Sequence, residues 1–189
     1  MAHTFNQLLY KALTENKWSI YIGLNIAGLS HLAVDGGEDP KDFHVTLLYG
    51  YFEQYSDMDD TAVKIEAARS EIKDQIPETI KFDKMGRFEA SKSSDGKDVI
   101  YAGVQEGQLE TLHRNLIKAL KDEGVKVEET FPDYHPHMTL AYIDQGKSFT
   151  LEPLNETGRV TGFTYKIKQQ TGEQESAGNT FPLNTKEPV

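Results

Sequence analysis

Two short segments of the sequence repeat one pattern of residue types. Residues 44–50 read HVTLLYG and residues 137–142 read HMTLAY, so each segment places a histidine two residues before a threonine. On a β-strand, residues two apart project from the same face. We therefore expect His44 and Thr46 to share a face of one strand, and His137 and Thr139 to share a face of another. If the strands meet, two imidazoles and two hydroxyls line one pocket.

Two histidines can perform acid–base catalysis without a metal ion. The unperturbed histidine pKa, about 6.5, lets one imidazole accept a proton near neutral pH while the other donates one. On a phosphodiester, one imidazole would deprotonate the attacking ribose 2′-hydroxyl or water, and the other would protonate the leaving oxygen. Thr46 and Thr139 would donate hydrogen bonds to the non-bridging oxygens as charge builds on phosphorus. The sequence does not indicate which histidine is the acid.

Other catalytic motifs are missing from the sequence, which contains no GxGxxG, no P-loop and no GxSxG. We expect neither a cofactor nor a metal. One alternative is a metal site, because His135 and His137 are two apart and His44 would supply a third nitrogen. That alternative leaves both threonines unexplained. A second alternative is that both histidines are ordinary hydrogen-bonded strand residues.

Further side chains are candidates for substrate contact. His31 lies in the loop before the first motif, and Tyr21 and Tyr101 have the strand parity to face the same cleft, where each ring could stack on a base. The alternative is that both rings pack between the two halves of the fold. Strict alternation places Tyr49 and Tyr142 on the core side, so we assign them to packing.

Composition limits the class of partner. The 189 residues carry a formal charge of −10 with only four arginines, so a long duplex nucleic acid, which depends on cationic contacts, is not an expected substrate. Cysteine is absent, and no segment approaches the about 18 apolar residues of a membrane span. The first residues are too polar for a secretory signal. We expect a cytoplasmic monomer with no membrane contact.

The predicted elements divide the chain into two halves, each with one helix and one motif strand. Helices are predicted at 5–16, from the SDMDDT segment to about Gln75, and at 107–122, where His113 is expected on the surface. Strands are predicted at 18–26, 43–49, 79–90 (with a turn at Gly86), 99–105, 125–128, 137–143 and 159–168. This order predicts an α+β fold with two similar lobes. We assign residues 1–168 to one bilobal domain and 169–189 to an edge hairpin or flexible tail.

HVTL and HMTL resemble the paired H-x-T signatures of the 2H phosphoesterase superfamily. The resemblance implies two pseudo-symmetric antiparallel-sheet lobes with helices outside, and a central cleft in which His44, Thr46, His137 and Thr139 act on RNA-type phosphodiesters without a metal. HVTLLYG together with YHPHMTLAY is most similar to bacteriophage members, including the anti-CBASS nucleases that cut cyclic oligonucleotide signals in the host cytoplasm.

The resemblance leaves the substrate open. A phage-type enzyme would cleave small cyclic or short oligonucleotides. RNA-end-processing members, which are 2′,3′-cyclic phosphodiesterases or 2′-5′ RNA ligases, share the same motif. A third alternative belongs to another class: a protein that sequesters a nucleotide without cleaving it.

Overall fold

The computed structural model describes residues 17–53, 57–130, 133–169 and 176–183. Within these ranges the chain forms eight β-strands and two α-helices, which confirms the predicted α+β class. In chain order they are β1 (Lys17–Ala27), β2 (His44–Glu53), α1 (Met58–Ile72), β3 (Thr79–Phe88), β4 (Lys97–Val104), α2 (Glu110–Asp122), β5 (Glu128–Glu129), β6 (His137–Asp144), β7 (Pro153–Gln169) and β8 (Ser176–Pro182). The helix predicted at residues 5–16 lies outside the described residues.

All strand pairings are antiparallel, in the order β1-β2-β6-β4-β3-β7-β8, with β5 paired to β2 and β7 paired back to β1. The sheet contains two three-stranded halves. The first half contains β7, β1 and β2, and the second half contains β3, β4 and β6. The two halves join where β2 pairs with β6 and where the long β7 pairs with β3. The motif strands are therefore the seam between two similar three-stranded units.

The helices pack against each other, and α1 also contacts β8. Helix α1 begins at Asp57, whose carboxylate accepts a hydrogen bond from the Asp60 amide at 2.8 Å. Helix α2 buries Leu112, Leu116 and Leu120 along one face, as the apolar spacing predicts. After α2, Gly124 adopts a φ of 86°, the left-handed conformation that ends helices and that glycine adopts without strain. Among the described residues, no helix is long and apolar enough to cross a membrane.

Three local predictions were wrong. The first motif strand continues past Gly50 to Glu53, and Gly86 lies inside β3, paired with Tyr101, rather than in a turn. His113 is 6% exposed instead of lying on the surface: its Nε2 is 2.9 Å from a Glu129 carboxylate oxygen and its ring stacks on Tyr134. These outcomes depend on partners that are distant in the sequence, which local spacing does not identify.

Candidate active site

The two motif strands meet at their amino-terminal ends, where Val45 pairs with Met138. Both of these side chains are fully buried in the core. Because successive strand residues alternate between faces, the residues on either side of Val45 and Met138 project from the opposite face. In an antiparallel pair this sets His44 across from Thr139, and Thr46 across from His137. We call the face that carries these four side chains the motif face.

Each motif strand has a bulge one residue after its threonine, at Leu47 in β2 and Leu140 in β6, where the pairing with the neighbouring strand skips a residue. A bulge adds one residue to one strand and changes which face the following side chains occupy. As a result two consecutive residues are buried in each strand, Leu47 with Leu48 and Leu140 with Ala141. The predicted alternation therefore holds only as far as the threonines.

The bulges also explain why the assignment of Tyr49 and Tyr142 to core packing was wrong. Tyr49 is 38% exposed and Tyr142 is 44% exposed. Tyr49 lies directly across from Tyr21, and directly opposed residues of an antiparallel pair share a face. Since the Tyr21 ring contacts His44, both tyrosines belong to the motif face. By the equivalent bulge, Tyr142 occupies the corresponding position in the second half.

The two imidazoles are oriented in the same way. The Nδ1 atom of His44 is 2.8 Å from the Asp42 carbonyl oxygen, and that of His137 is 2.7 Å from the His135 carbonyl oxygen. A carbonyl oxygen can only accept, so each Nδ1 carries the hydrogen and donates it. In the neutral form each Nε2 is then the unprotonated nitrogen. Both histidines are thereby held with Nε2 ready to exchange a proton.

Aromatic rings enclose His137. The centroid of its ring lies 4.9 Å from that of Phe88 and 5.3 Å from that of Tyr101, and these two rings stack on each other at 4.2 Å. Burial lowers the pKa of His137 below its usual value; the positive charges of His44 and His135 act in the same direction, against the opposing hydrogen bond to the His135 carbonyl. The pairing of Val45 with Met138 places the two imidazoles on the same face of neighbouring strands. This environment favours the neutral form of His137.

His44 has a different neighbour, the ring of Tyr21, which meets it edge-on at a centroid distance of 5.6 Å. The Tyr21 hydroxyl lies over Gly23, the cross-strand partner of Thr46, which places it beside the Thr46 side chain. Burial raises the pKa of Tyr21 far above the usual tyrosine value, so the phenol stays protonated. A phenol hydroxyl therefore lies beside the motif in the first half, whereas the rings of Phe88 and Tyr101 lie beside the motif in the second half.

Tyr134 also contacts the first motif strand and was missed by the sequence reasoning. Its hydroxyl donates to the Thr46 carbonyl oxygen at 3.1 Å, and its ring stacks on His113 at 3.9 Å. His113 in turn pairs with Glu129 of β5. Tyr134 belongs to the YHPHMTLAY segment, but nothing in the spacing indicates that its hydroxyl would reach the other motif strand.

The remaining candidates lie apart from this cluster. His31 pairs with Glu156 of β7 at 3.1 Å and is half exposed, and none of its polar contacts within the described residues is to a motif residue. Across residues 17–53, 57–130, 133–169 and 176–183, no three histidine, aspartate or glutamate side chains are grouped closely enough to hold a metal ion. His44, His135 and His137 therefore do not form such a group.

Several solved structures share this fold. The crystal structure of TT0787 from Thermus thermophilus has a TM-score of 0.57 at 14% identity, with 89% of this chain and 100% of that chain covered. Escherichia coli LigT complexed with 3′-AMP has a TM-score of 0.53 at 17% identity, covering 89% and 99%. A crystal structure described as a phosphoesterase has a TM-score of 0.53 at 16% identity, also covering 89% and 99%. At these identities the similarity establishes the fold alone.

Sequence similarity to a family is more specific. No curated protein matches the sequence. The model of the AKAP7 2′5′ RNA ligase-like domain, in contrast, matches residues 29–158, which include β2, β6 and all four motif residues. The match spans well over half of the 189 residues. The chain therefore belongs to the AKAP7 2′5′ RNA ligase-like domain family, within the 2H phosphoesterase superfamily.

Proposed function

We propose that this protein is a phosphodiesterase that cleaves 3′–5′ bonds of small cyclic or short oligonucleotides by two-histidine acid–base catalysis. The observation that carries the proposal is the convergence of His44, Thr46, His137 and Thr139 on one face at the β2–β6 seam. Both imidazoles are tethered through Nδ1, which leaves both Nε2 atoms for proton transfer. Two hydroxyls lie beside them as hydrogen-bond donors.

In the proposed reaction His137 is the general base and His44 the general acid, because burial among aromatic rings favours the neutral form that a base requires. Nε2 of His137 takes the proton of the ribose 2′-hydroxyl, or of a water, as the new O–P bond forms. The bond from phosphorus to the 5′ oxygen breaks, and Nε2 of His44 gives that oxygen its proton. Thr46 and Thr139 donate to the non-bridging oxygens as negative charge grows.

The proposed substrate is small. The charge of −10 disfavours a long polyanion, and LigT, a protein of the same fold, has been crystallised with 3′-AMP. The exposed rings of Tyr49 and Tyr142 offer one stacking surface in each half for the bases that flank the cleaved phosphate. On the resemblance of HVTLLYG and YHPHMTLAY to phage anti-CBASS nucleases, we infer a monomeric enzyme that degrades cyclic nucleotide immune signals in the host cytoplasm.

A second candidate function is favoured by the family description, which names a 2′5′ RNA ligase-like domain. The same four residues could open a terminal 2′,3′-cyclic phosphate or join a 2′-5′ bond. Opening a terminal 2′,3′-cyclic phosphate involves the base of one terminal nucleotide, which would need only one of the two tyrosines. A non-cleaving, nucleotide-sequestering protein would bind the same ligands with no need for either proton transfer.

Product analysis with His44→Ala and His137→Ala tests the proposal. Wild-type protein, dialysed against EDTA, should linearise cyclic di-AMP or a cyclic trinucleotide, and each alanine variant should lose activity by a factor of about 10³ while still binding. His31→Ala, which changes a histidine outside the motif face, is the matched control. Cleavage of 2′,3′-cyclic AMP alone would favour the RNA-end function. Tight binding by wild-type protein with no product at all would favour sequestration and refute both enzymatic functions.

A further inference from the structure

Two tyrosines lie beside two polar atoms of Thr46. Its carbonyl oxygen accepts a hydrogen bond from Tyr134 at 3.1 Å, and its side-chain hydroxyl lies across from Gly23, over which the Tyr21 hydroxyl is placed. Thr139 pairs across the strands with Tyr101 of β4, whose ring instead stacks on Phe88 and meets His137. The two motif threonines therefore differ in how strongly their surroundings orient them.

A threonine hydroxyl has one hydrogen and two lone pairs, and it rotates to suit its neighbours. A phosphate oxygen can only accept, so a hydroxyl that contacts substrate must point its hydrogen at the phosphate. The partner hydroxyl of Tyr21 then has to donate to Thr46. The protonated state of Tyr21, which burial favours, keeps this donor available. Hydrogen bonds in such a chain also polarise one another, which makes the terminal hydroxyl a stronger donor.

A glycine makes room for the Tyr21 ring. A Cβ atom at Gly23 would overlap the hydroxyl end of the Tyr21 side chain. The phenol therefore occupies the space that a side chain at position 23 would fill. Gly23 is also the cross-strand partner of Thr46. The gap at Gly23 therefore delivers the phenol hydroxyl to the threonine opposite it, while the ring edge lies against His44.

We propose that Tyr21 is a positioning residue, which donates to the Thr46 hydroxyl and so directs the hydrogen of Thr46 at a non-bridging oxygen of the bound phosphate. The inference rests on the proposed function, since it requires a phosphate at the motif face. It makes the two threonines inequivalent: Thr46 is set as a donor before substrate arrives, whereas Thr139 is oriented by the substrate itself.

The variant Tyr21→Phe removes only the hydroxyl and keeps the ring that fills the space over Gly23. We expect kcat on a dinucleotide substrate to fall about tenfold with KM changed less than about twofold, because the donor matters most as charge develops. The control is Tyr165→Phe, which removes a hydroxyl that bonds Glu66 at 3.4 Å, away from the motif face. The control should leave kcat close to the wild-type value.

A double-mutant cycle separates positioning of Thr46 from a general structural role. In a Thr46→Val background Tyr21→Phe should cost nothing further, since its target hydroxyl is gone. In a Thr139→Val background it should still cost about tenfold. Equal losses in both backgrounds, or no loss in wild type, would overturn the inference.

Failure of the proposed function would look different. Calorimetric titration with 3′-AMP needs no turnover. Its phosphate monoester carries about −1.5 to −2 charges at pH 7, more than the single charge of a substrate phosphodiester, so Tyr21→Phe should bind it several-fold more weakly than wild type or Tyr165→Phe does. If wild type shows no turnover but that difference in affinity persists, the proposed function fails and the positioning role stands. If turnover is intact and the cycle shows no coupling, the positioning role alone fails.

Discussion

Strands β2 and β6 share a sequence pattern, a bulge and an order of buried positions, but their surroundings differ. In the first half, two hydroxyls reach the motif: that of Tyr21 lies beside the Thr46 side chain, and that of Tyr134 donates to the Thr46 carbonyl oxygen. In the second half, the rings of Phe88 and Tyr101 enclose His137. The two motif strands thus share their backbone geometry, whereas their neighbours make the surroundings of the two histidines different. Acid–base catalysis requires such a difference, because one imidazole must be neutral while the other is charged.

Among the variants outside the four motif residues, the largest effect is expected at the exposed tyrosines Tyr49 and Tyr142, which occupy equivalent positions in the two halves. If each stacks on a base, Tyr49→Ala and Tyr142→Ala should each raise KM for a cyclic dinucleotide roughly 5- to 150-fold, following about 1–3 kcal/mol per stacked base. Tyr49→Phe and Tyr142→Phe keep the ring and should stay near wild type. An effect at only one position would indicate a substrate with one bound base and would favour the RNA-end function.

Alanine substitutions at Gly23 and Gly86 test whether the rings beside the motif histidines are needed for activity. A Cβ atom at Gly86 would overlap the ring of Tyr101, as one at Gly23 would overlap Tyr21. Each alanine variant should displace its ring and lower kcat by about tenfold, with a loss of stability of about 1–3 kcal/mol, the usual cost of overpacking. At Gly23 the new Cβ would also lie 3.2 Å from the Val45 carbonyl oxygen, so the backbone there must shift slightly.

The control for these variants is Gly162→Ala in β7, where a new Cβ would approach only the Thr180 methyl and the Phe181 carbonyl oxygen, at 3.3 and 3.4 Å, and the Asn25 side chain. Thermal unfolding measured beside kcat separates the two effects. A large fall in Tm with kcat unchanged in the folded fraction would show that the rings serve packing rather than chemistry.

The smallest expected effect is in the pH–rate profile. A general base works only when neutral, so the rate should fall at low pH as His137 becomes protonated. Because the pKa of His137 is lowered, the midpoint of this acidic limb of the profile should lie below pH 6.5, the usual histidine value. Phe88→Ala would admit water to His137 and raise its pKa, so the limb should move up by about half a pH unit.

A suitable control is Phe181→Ala, since Phe181 contacts Phe163, Tyr165 and Arg69 rather than a motif histidine. The limb should not move in that variant. If the limb moves equally in both variants, or if its midpoint in wild type lies above the usual histidine value, His137 is not the base.

Much of the fold could be predicted because its signals are local. The alternation of apolar residues identified β1, β2 and β6 to within a few residues, and the leucine spacing identified α2. Boundaries were less accurate: β7 begins at Pro153, six residues before its predicted start, because pairing with β3 extends it. The catalytic roles of His44, Thr46, His137 and Thr139 remain predictions, as do the substrate contacts of Tyr21, Tyr101 and His31.

By itself the sequence determined which residues share a face over short distances, since a histidine and a threonine two apart on a strand must project together. It also predicted that one helix begins within the SDMDDT segment and that another ends at about residue 122, where the structure shows local capping at Asp57 and a left-handed Gly124. Tertiary structure alone decided that the bulges at Leu47 and Leu140 would turn the following tyrosines outward. It also decided that Tyr134 would reach Thr46, 88 residues away in the chain. Strand register and ring packing depend on which distant segments pair, and no local spacing encodes that choice.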